Sequence, residues 1–357
     1  MATQECRPAV LLLFQNTGEK MIITRIEQEN REFEILSPFA TKVKETKGRK
    51  LPEEPCKLRT EFQRDKDRII HSKSFRRLMH KTQVFLAPEG DHFRTRLTHT
   101  IEVAQIARTI SRGLGLNEDL TEAIALGHDL GHTPFGHNGE MVLNEIHKGG
   151  FSHNIQSLRV VDVLEEGHVG RGMNLTKEVR DGIRNHSGKD IPFTMEGKVV
   201  RLSDRIAYIN HDIDDALRSK VITAGQLPRD CIQVLGEKHG QRIDFLVWDV
   251  IKNSENKNDI VQSDRAFHLM NKLREFMFIN VYHNENVKRA SDLSKVKMII
   301  ESLYNYYVNH PDELPFNYRS LIDEYGVYEM VKDYIAGMTD RYAMNLYDEL
   351  FIPRPWK

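Results

Sequence analysis

The chain has 357 residues, 39% of them hydrophobic, enough apolar material for one large domain or two smaller ones. With 51 Lys and Arg against 52 Asp and Glu, its charge is close to balanced, which excludes a molecule drawn as a whole to nucleic acid or to a membrane surface. Three cysteines, Cys6, Cys56 and Cys231, without C-x-x-C spacing exclude a disulfide scaffold and a thiolate metal site, and point to a reducing, cytoplasmic setting.

Near the start, the apolar run Ala9–Phe14 is too short to span a bilayer or to serve as a signal core, and with Met21 opening a more polar stretch, residues 1–20 read as either a mis-assigned start or a disordered tail. Residues 37–60, rich in Lys, Glu and Pro, predict an extended arm leading into the core. From Lys57 to Arg112 there are 13 Lys and Arg against 6 Asp and Glu, which is either a solvated helix face or a cradle for a polyphosphate. Apolar residues then recur at helical spacing through Ile101, Ala104, Ile106, Ala107, Ile110 and Leu114, with Gly113 and Gly115 as stops. Thr121–Leu130 predicts the next helix, broken at Gly131 and Pro134, and Phe135–Lys148 a third.

Further helices are predicted over Ile155–Glu165, Lys177–Asn185, Lys198–Lys220, Gln241–Asn253, Ala266–Asn280, Glu285–Asn309, Val327–Gly337 and Asp340–Leu350. Loops are predicted at Gly167–Gly172, Ser187–Pro192 and His310–Pro315. No alternating run of β-branched residues builds a sheet, and there is no internal repeat or long heptad. The expectation is an all-α protein: an N-terminal arm over residues 1–56, partly disordered, a helical core over 57–225, and additional C-terminal helices over 226–357 packed on it.

Nine of the sixteen histidines fall between His71 and His153. They include R-L-T-H-T (96–100) and G-H-D-L-G-H-T-P-F-G-H-N-G-E (127–140), and S-D-R-I-A-Y-I-N-H-D (203–212) follows. His99, His128, Asp129 and Asp204 supply imidazole and carboxylate from three helical segments, a donor set that suits a divalent transition ion and leaves open positions for water and substrate. Sequential residues such as His128 and Asp129 diverge by roughly 100° on a helix, so they share an ion only at a helix end or between packed helices. His137 and Glu140, three apart, lie on one helix face, where the carboxylate orients the imidazole and favours its protonated form. Arg96 stands one turn before His99, and its planar donors suit a phosphoryl oxygen. Asp204, Tyr208 and Asp212 recur every four residues along one face; the plain alternative is a half-buried helix with a buried ring and two solvated acids.

These blocks, in this order, resemble the HD-domain metal-dependent phosphohydrolases, and within them the dGTPase-like deoxynucleoside triphosphate triphosphohydrolases. The resemblance runs from about Thr60 to at least Asp215, with a weaker echo in G-M-T-D-R-Y-A (337–343). It implies an HD-domain helical bundle, with His99, His128, Asp129 and Asp204 as ligands of one divalent ion. Mn²⁺ or Mg²⁺ is the natural choice for phosphate chemistry, and Fe²⁺, Ni²⁺ or Zn²⁺ also fit the donors.

The resemblance further implies a general acid at His137 steered by Glu140, with His132 near the phosphates. Arg96 and Arg205 would bind the polyphosphate. His153, in F-S-H-N-I-Q-S-L-R, would contact phosphate or support proton transfer, or else bond at the start of its helix. Tyr208 would pack on the deoxyribose, Asp212 would bond the 3′-hydroxyl, and Gln83, with Val84 beneath it, would lie near the sugar. The implied reaction converts a deoxynucleoside triphosphate, dGTP or several dNTPs, to deoxynucleoside and inorganic triphosphate. The implied assembly is a homo-oligomer with a possible activating nucleotide at its interfaces, and no membrane partner. Two rivals stand beside it: an HD phosphohydrolase on a monophosphate, cyclic nucleotide or guanosine polyphosphate, and a non-catalytic nucleotide sensor that could bind single-stranded nucleic acid.

Overall fold

The computed structural model describes residues 22–83, 94–167, 169–282 and 290–353. The expected tail at 1–20, Val84, and residues 285–289 of one expected helix lie outside them. Helices dominate, and the only strands among the described residues are a two-residue ribbon, β1 (Glu166–Gly167) with β2 (Gly170–Arg171), where a loop was expected. No described helix is long and apolar enough to cross a membrane.

Before the core come α1 (Arg25–Ile35), α2 (Glu61–Ile70) and α3 (Lys73–Arg77). The first two open on capping boxes, Thr24 with Glu27 and Thr60 with Gln63, which satisfy the first-turn amides. Residues 36–60 between them form no α-helix, and they are pinned to the core. Arg49 pairs with Asp65 and with Glu61 at 2.6 Å, while Glu53 accepts from Arg64 at 2.6 Å and from Arg68.

The centre of the molecule is built from α4 (Arg96–Gly113), α5 (Glu118–Gly127), α6 (Gly136–Ile146), α7 (His153–Arg159), α8 (Lys177–Asn185) and α9 (Met195–Arg218). Helix α5 begins three residues before the expected Thr121, because the Asn117 side chain accepts from the Leu120 amide and sets the start. Helix α4 packs on α5 and α9, and α8 packs on α5 and α9. Their apolar faces form one core that continues from Ala40 through α10 (Arg229–Leu235), α11 (His239–Ser254) and α12 (Asp264–Met277) to Val281.

A second cluster joins Phe135, Val142 and Leu143 at α6 to α13 (Ala290–Asn309), α16 (Val327–Ala336) and α17 (Asp340–Phe351). The short α14 (Phe316–Arg319) and α15 (Ile322–Tyr325) pack against α16. Helices α1, α2, α3, α10, α14 and α15 were not expected; α3, α10, α14 and α15, at five, seven, four and four residues, are too short to display a helical period, and α1 buries only Glu29, so it shows no apolar stripe.

Candidate metal centre

His128 and Asp129 follow the last residue of α5, so both side chains project from a helix end instead of diverging along its flank. Helix α4 brings His99 and helix α9 brings Asp204. His99 Nε2 lies 3.1 Å from Asp204 Oδ1, and His128 Nε2 lies 3.6 Å from Asp129 Oδ1 and 3.8 Å from Asp204 Oδ1. All four expected ligands therefore converge.

His99 and His128 are deeply buried, as is Asp129. The Nδ1 of His128 donates to the Ala125 carbonyl at 2.6 Å, which leaves Nε2 a lone pair, and that buried atom has no hydrogen-bond partner among the described residues. A buried acceptor facing two carboxylates is unfavourable without a cation between them, and it is the arrangement a metal ligand needs. Burial works against the charge on Asp204, but the His99 hydrogen bond and the nearby imidazoles hold its carboxyl below the usual range. Asp129, opposed by burial in the same way, is held well below its usual value by His128 and Arg96. Burial likewise opposes charge on His99, and pairing with Asp204 more than offsets it and raises its pKa. A bound cation takes the place of that proton. The residues fit a divalent ion.

Arg96, the first residue of α4, donates from Nη1 to Asp129 Oδ2 at 2.7 Å. Its Nε and Nη2 are buried without partners among the described residues, so two donors remain beside the cluster. Behind His99, Nδ1 meets His211 Nδ1 at 3.5 Å, and His211 Nδ1 lies 3.3 Å from Glu102. His211 carried no role in the sequence reading.

A second group of side chains gathers on Glu140. Its Oε2 lies 3.2 Å from His137 Nδ1, while Oε1 accepts from both the amide and Nδ1 of His153, each at 2.8 Å. The carboxylate is thus shared, and its shorter contacts are to His153, not to His137. His137 is largely solvent-exposed, with 71% of its side chain accessible. His132 is buried, stacks on His153 with ring centres 4.8 Å apart, and has neither ring nitrogen bonded among the described residues. Burial and the neighbouring Arg96 charge hold its pKa well below the ordinary value, so the ring is neutral.

His153 Nε2 in turn lies 3.2 Å from His186 Nε2. His186, which lies between a predicted helix and a predicted loop and has no role assigned from sequence, closes α8 as His128 closes α5. The two helices approach closely because a Cβ on Gly127 would lie 2.5 Å from Ile183, and one on Gly182 would lie 2.6 Å from Ile124. The His128 and His186 rings consequently sit 4.9 Å apart.

Along α9, Tyr208 is half-buried and Asp212 buried. Arg205 hydrogen-bonds Asn271 and lies over the Phe267 ring at 5.3 Å, both on α12. Gln83 is buried with Oε1 unpartnered among the described residues, and its carbonyl approaches Gly136. The 133–136 turn puts Phe135 in the left-handed region at φ 62°, an uncommon state for a bulky residue. Asp340, at the start of α17, holds it there by accepting from the Phe135 amide at 2.9 Å, and it also accepts from Thr82. Buried Lys81 donates to the carbonyls of His132 and Ala336. The C-terminal helices thereby brace both loops that flank the histidine cluster.

Residues 96–209 match the HD domain, and residues 260–349 match the phosphohydrolase-associated domain. The chain is 58% identical over 328 residues to a deoxyguanosinetriphosphate triphosphohydrolase-like protein of Caldanaerobacter subterraneus subsp. tengcongensis, covering 92% of this chain and 96% of that one. It is 49% identical over 353 residues to a protein of the same description from Desulfatibacillum aliphaticivorans, covering 92% and 97% of the two chains. A third, from Clostridium tetani, is 49% identical over 337 residues, with 91% and 95% covered.

Proposed function

Since this chain belongs to the deoxyguanosinetriphosphate triphosphohydrolase-like family of HD-domain proteins, we propose that it hydrolyses deoxynucleoside triphosphates to deoxynucleoside and inorganic triphosphate. The observation that carries the reading is the buried, unpartnered His128 Nε2 facing the Asp129 and Asp204 carboxylates, with two unused donors of Arg96 alongside.

His99, His128, Asp129 and Asp204 would hold the ion, Mn²⁺ or Mg²⁺ by the chemistry of the substrate. Once held, such an ion polarises an α-phosphate oxygen and lowers the pKa of a water. Arg96 directs Nε and Nη2 at the triphosphate and offsets charge that grows in the transition state. Arg205 serves the same chain of phosphates. His132, kept neutral by burial, offers a ring nitrogen to a phosphate oxygen.

Water attacks the α-phosphorus, the bond from phosphorus to O5′ breaks, and His137 delivers the proton to O5′. Glu140, 3.2 Å from His137 Nδ1, would orient that ring, and the exposure of the His137 side chain supports its meeting a substrate that arrives from solvent. Tyr208 packs against the deoxyribose, Asp212 accepts from the 3′-hydroxyl, and Gln83 lies beside the sugar. The reading includes a homo-oligomer, measurable by light scattering, at whose interfaces an activating nucleotide would bind.

The test is to incubate metal-loaded protein with each dNTP, singly and mixed, and to separate products by anion exchange. Intact triphosphate with free deoxynucleoside is expected. Release of orthophosphate or pyrophosphate would point to another HD phosphohydrolase, and binding without products would point to a sensor.

A further inference from the structure

A cavity of about 90 Å³ lies between α3, α7, α14 and α16, against Leu130 and Gly131, the residues that separate Asp129 from His132. Pockets that take drug-sized ligands begin at roughly 300 Å³, so this one suits a small ion and not a nucleotide. Three cations line it. Lys81 is 2% exposed and spends two of its three donors on the carbonyls of His132 and Ala336, so one remains for the cavity. Arg77 donates to the Tyr318 oxygen, which leaves further guanidinium donors and the phenol hydrogen to act on a third group. Lys73 stands exposed at the rim.

The carboxylates around the same space are already engaged. Glu165 accepts from the Ser74 amide at 2.6 Å, Asp333 accepts from Gln156 at 2.8 Å and from Arg159 at 2.6 Å, and Glu166 is exposed. Asp340, the nearest counter-charge to Lys81, accepts from the Phe135 amide and from Thr82. Neither Arg77 nor Lys73 forms an ion pair among the described residues. Burial, and after it the Arg77 charge, push the Lys81 ammonium down to about 7. An anion between Lys81 and Arg77 would remove that repulsion.

We propose that this cavity binds a tetrahedral oxyanion of the size of orthophosphate, held by Arg77, Lys81 and the Tyr318 hydroxyl, apart from the metal centre. Gly337, which opens the G-M-T-D-R-Y-A segment, makes the room. A Cβ on it would lie 2.9 Å from the Tyr318 hydroxyl and 3.3 Å from Arg77 Nη1, so the two donors converge on one point above its backbone. A planar guanidinium, an ammonium and a hydroxyl around one point match the several acceptor oxygens of such an anion.

The test uses orthophosphate alone, titrated calorimetrically into full-length protein stripped of metal by chelator, so its outcome is independent of the proposed hydrolysis. One phosphate per chain is expected. R77Q and G337A should each weaken binding by about tenfold or more, the first by removing charge-assisted donors and the second by filling the space without changing charge. Gly337 sits at φ −74°, a backbone that alanine adopts without strain, so G337A decides the matter if R77Q fails to fold by circular dichroism. R96Q, which removes donors beside the proposed metal ligands, should bind as wild type does. Binding lost in R96Q but kept in R77Q and G337A would put the phosphate in the metal centre and overturn the proposal. Absent binding, or unsaturable binding equal in all four proteins, would overturn it as well.

Discussion

Arg96 and Asp129 form a buried ion pair, 2.7 Å from Nη1 to Oδ2, that joins the first turn of α4 to the end of α5. It joins the ends of the two helices next to His99 and His128, so the guanidinium proposed to meet the substrate also neutralises the carboxylate of a proposed metal ligand. R96A should leave Asp129 buried without a counter-charge and cost about 3–5 kcal/mol in metal-free protein. Bound Mn²⁺ takes over that counter-charge, so thermal unfolding with and without the ion should show a larger gain on binding for R96A than for wild type. Equal gains would mean that Asp129 does not face the ion.

His137 and Asp204 should separate proton delivery from metal binding. H137A is expected to reduce turnover by about 10²–10⁴-fold with Mn²⁺ content unchanged. D204A is expected to lose both. Equal metal loss in the two variants, measured by atomic absorption, would contradict the division.

Gly182 holds α8 against α5, where the Cβ of an alanine would lie 2.6 to 2.7 Å from three carbons of Ile124. G182A should destabilise by about 1–3 kcal/mol and weaken Mn²⁺ binding, because it pushes against α5, whose end presents His128 and Asp129. Trimming the obstacle in G182A/I124A should recover part of the binding. Calorimetric titration of Mn²⁺ into both variants checks this, and undiminished affinity in G182A would show that the interhelix distance does not set the site.

Glu53 ties the extended segment to α2. Burial pushes its carboxyl up, but Arg68 and Asn174 more than offset that and bring it down to about 2, from 4.5. The unfolded chain therefore binds more protons between those values, so the contribution is complete above about pH 4.5 and is lost as pH falls towards 2. E53Q should be about 1–3 kcal/mol less stable than wild type at pH 7, with the gap closing below pH 4.5. Denaturant melts at pH 7, 4 and 3 measure it; a gap independent of pH would assign Glu53 a packing role only.

Much of this was legible along the chain. Gly131 and Pro134 mark the break after the helix that presents His128 and Asp129, the proposed ligands, although α5 itself stops at Gly127, and Lys177–Asn185 is a helix with the expected bounds. His186 was not legible. Nothing in R-N-H-S-G distinguishes it from a helix-ending residue, and its place beside His128 comes from two glycines, Gly127 and Gly182, that matter only once α5 meets α8. The sharing of Glu140 between His137 and His153 is likewise tertiary, because His153 is thirteen residues away in a separate helix. Asp340 braces the Phe135 turn across 205 residues of sequence, a distance at which periodicity carries no information.

The reaction itself is tested most directly by hydrolysing dGTP in ¹⁸O-labelled water with Mn²⁺-loaded protein and weighing the products by mass spectrometry. Attack at the α-phosphorus with departure of O5′ places one ¹⁸O in intact triphosphate and none in deoxyguanosine. Label in deoxyguanosine, in pyrophosphate or in orthophosphate released at the same rate would contradict the account.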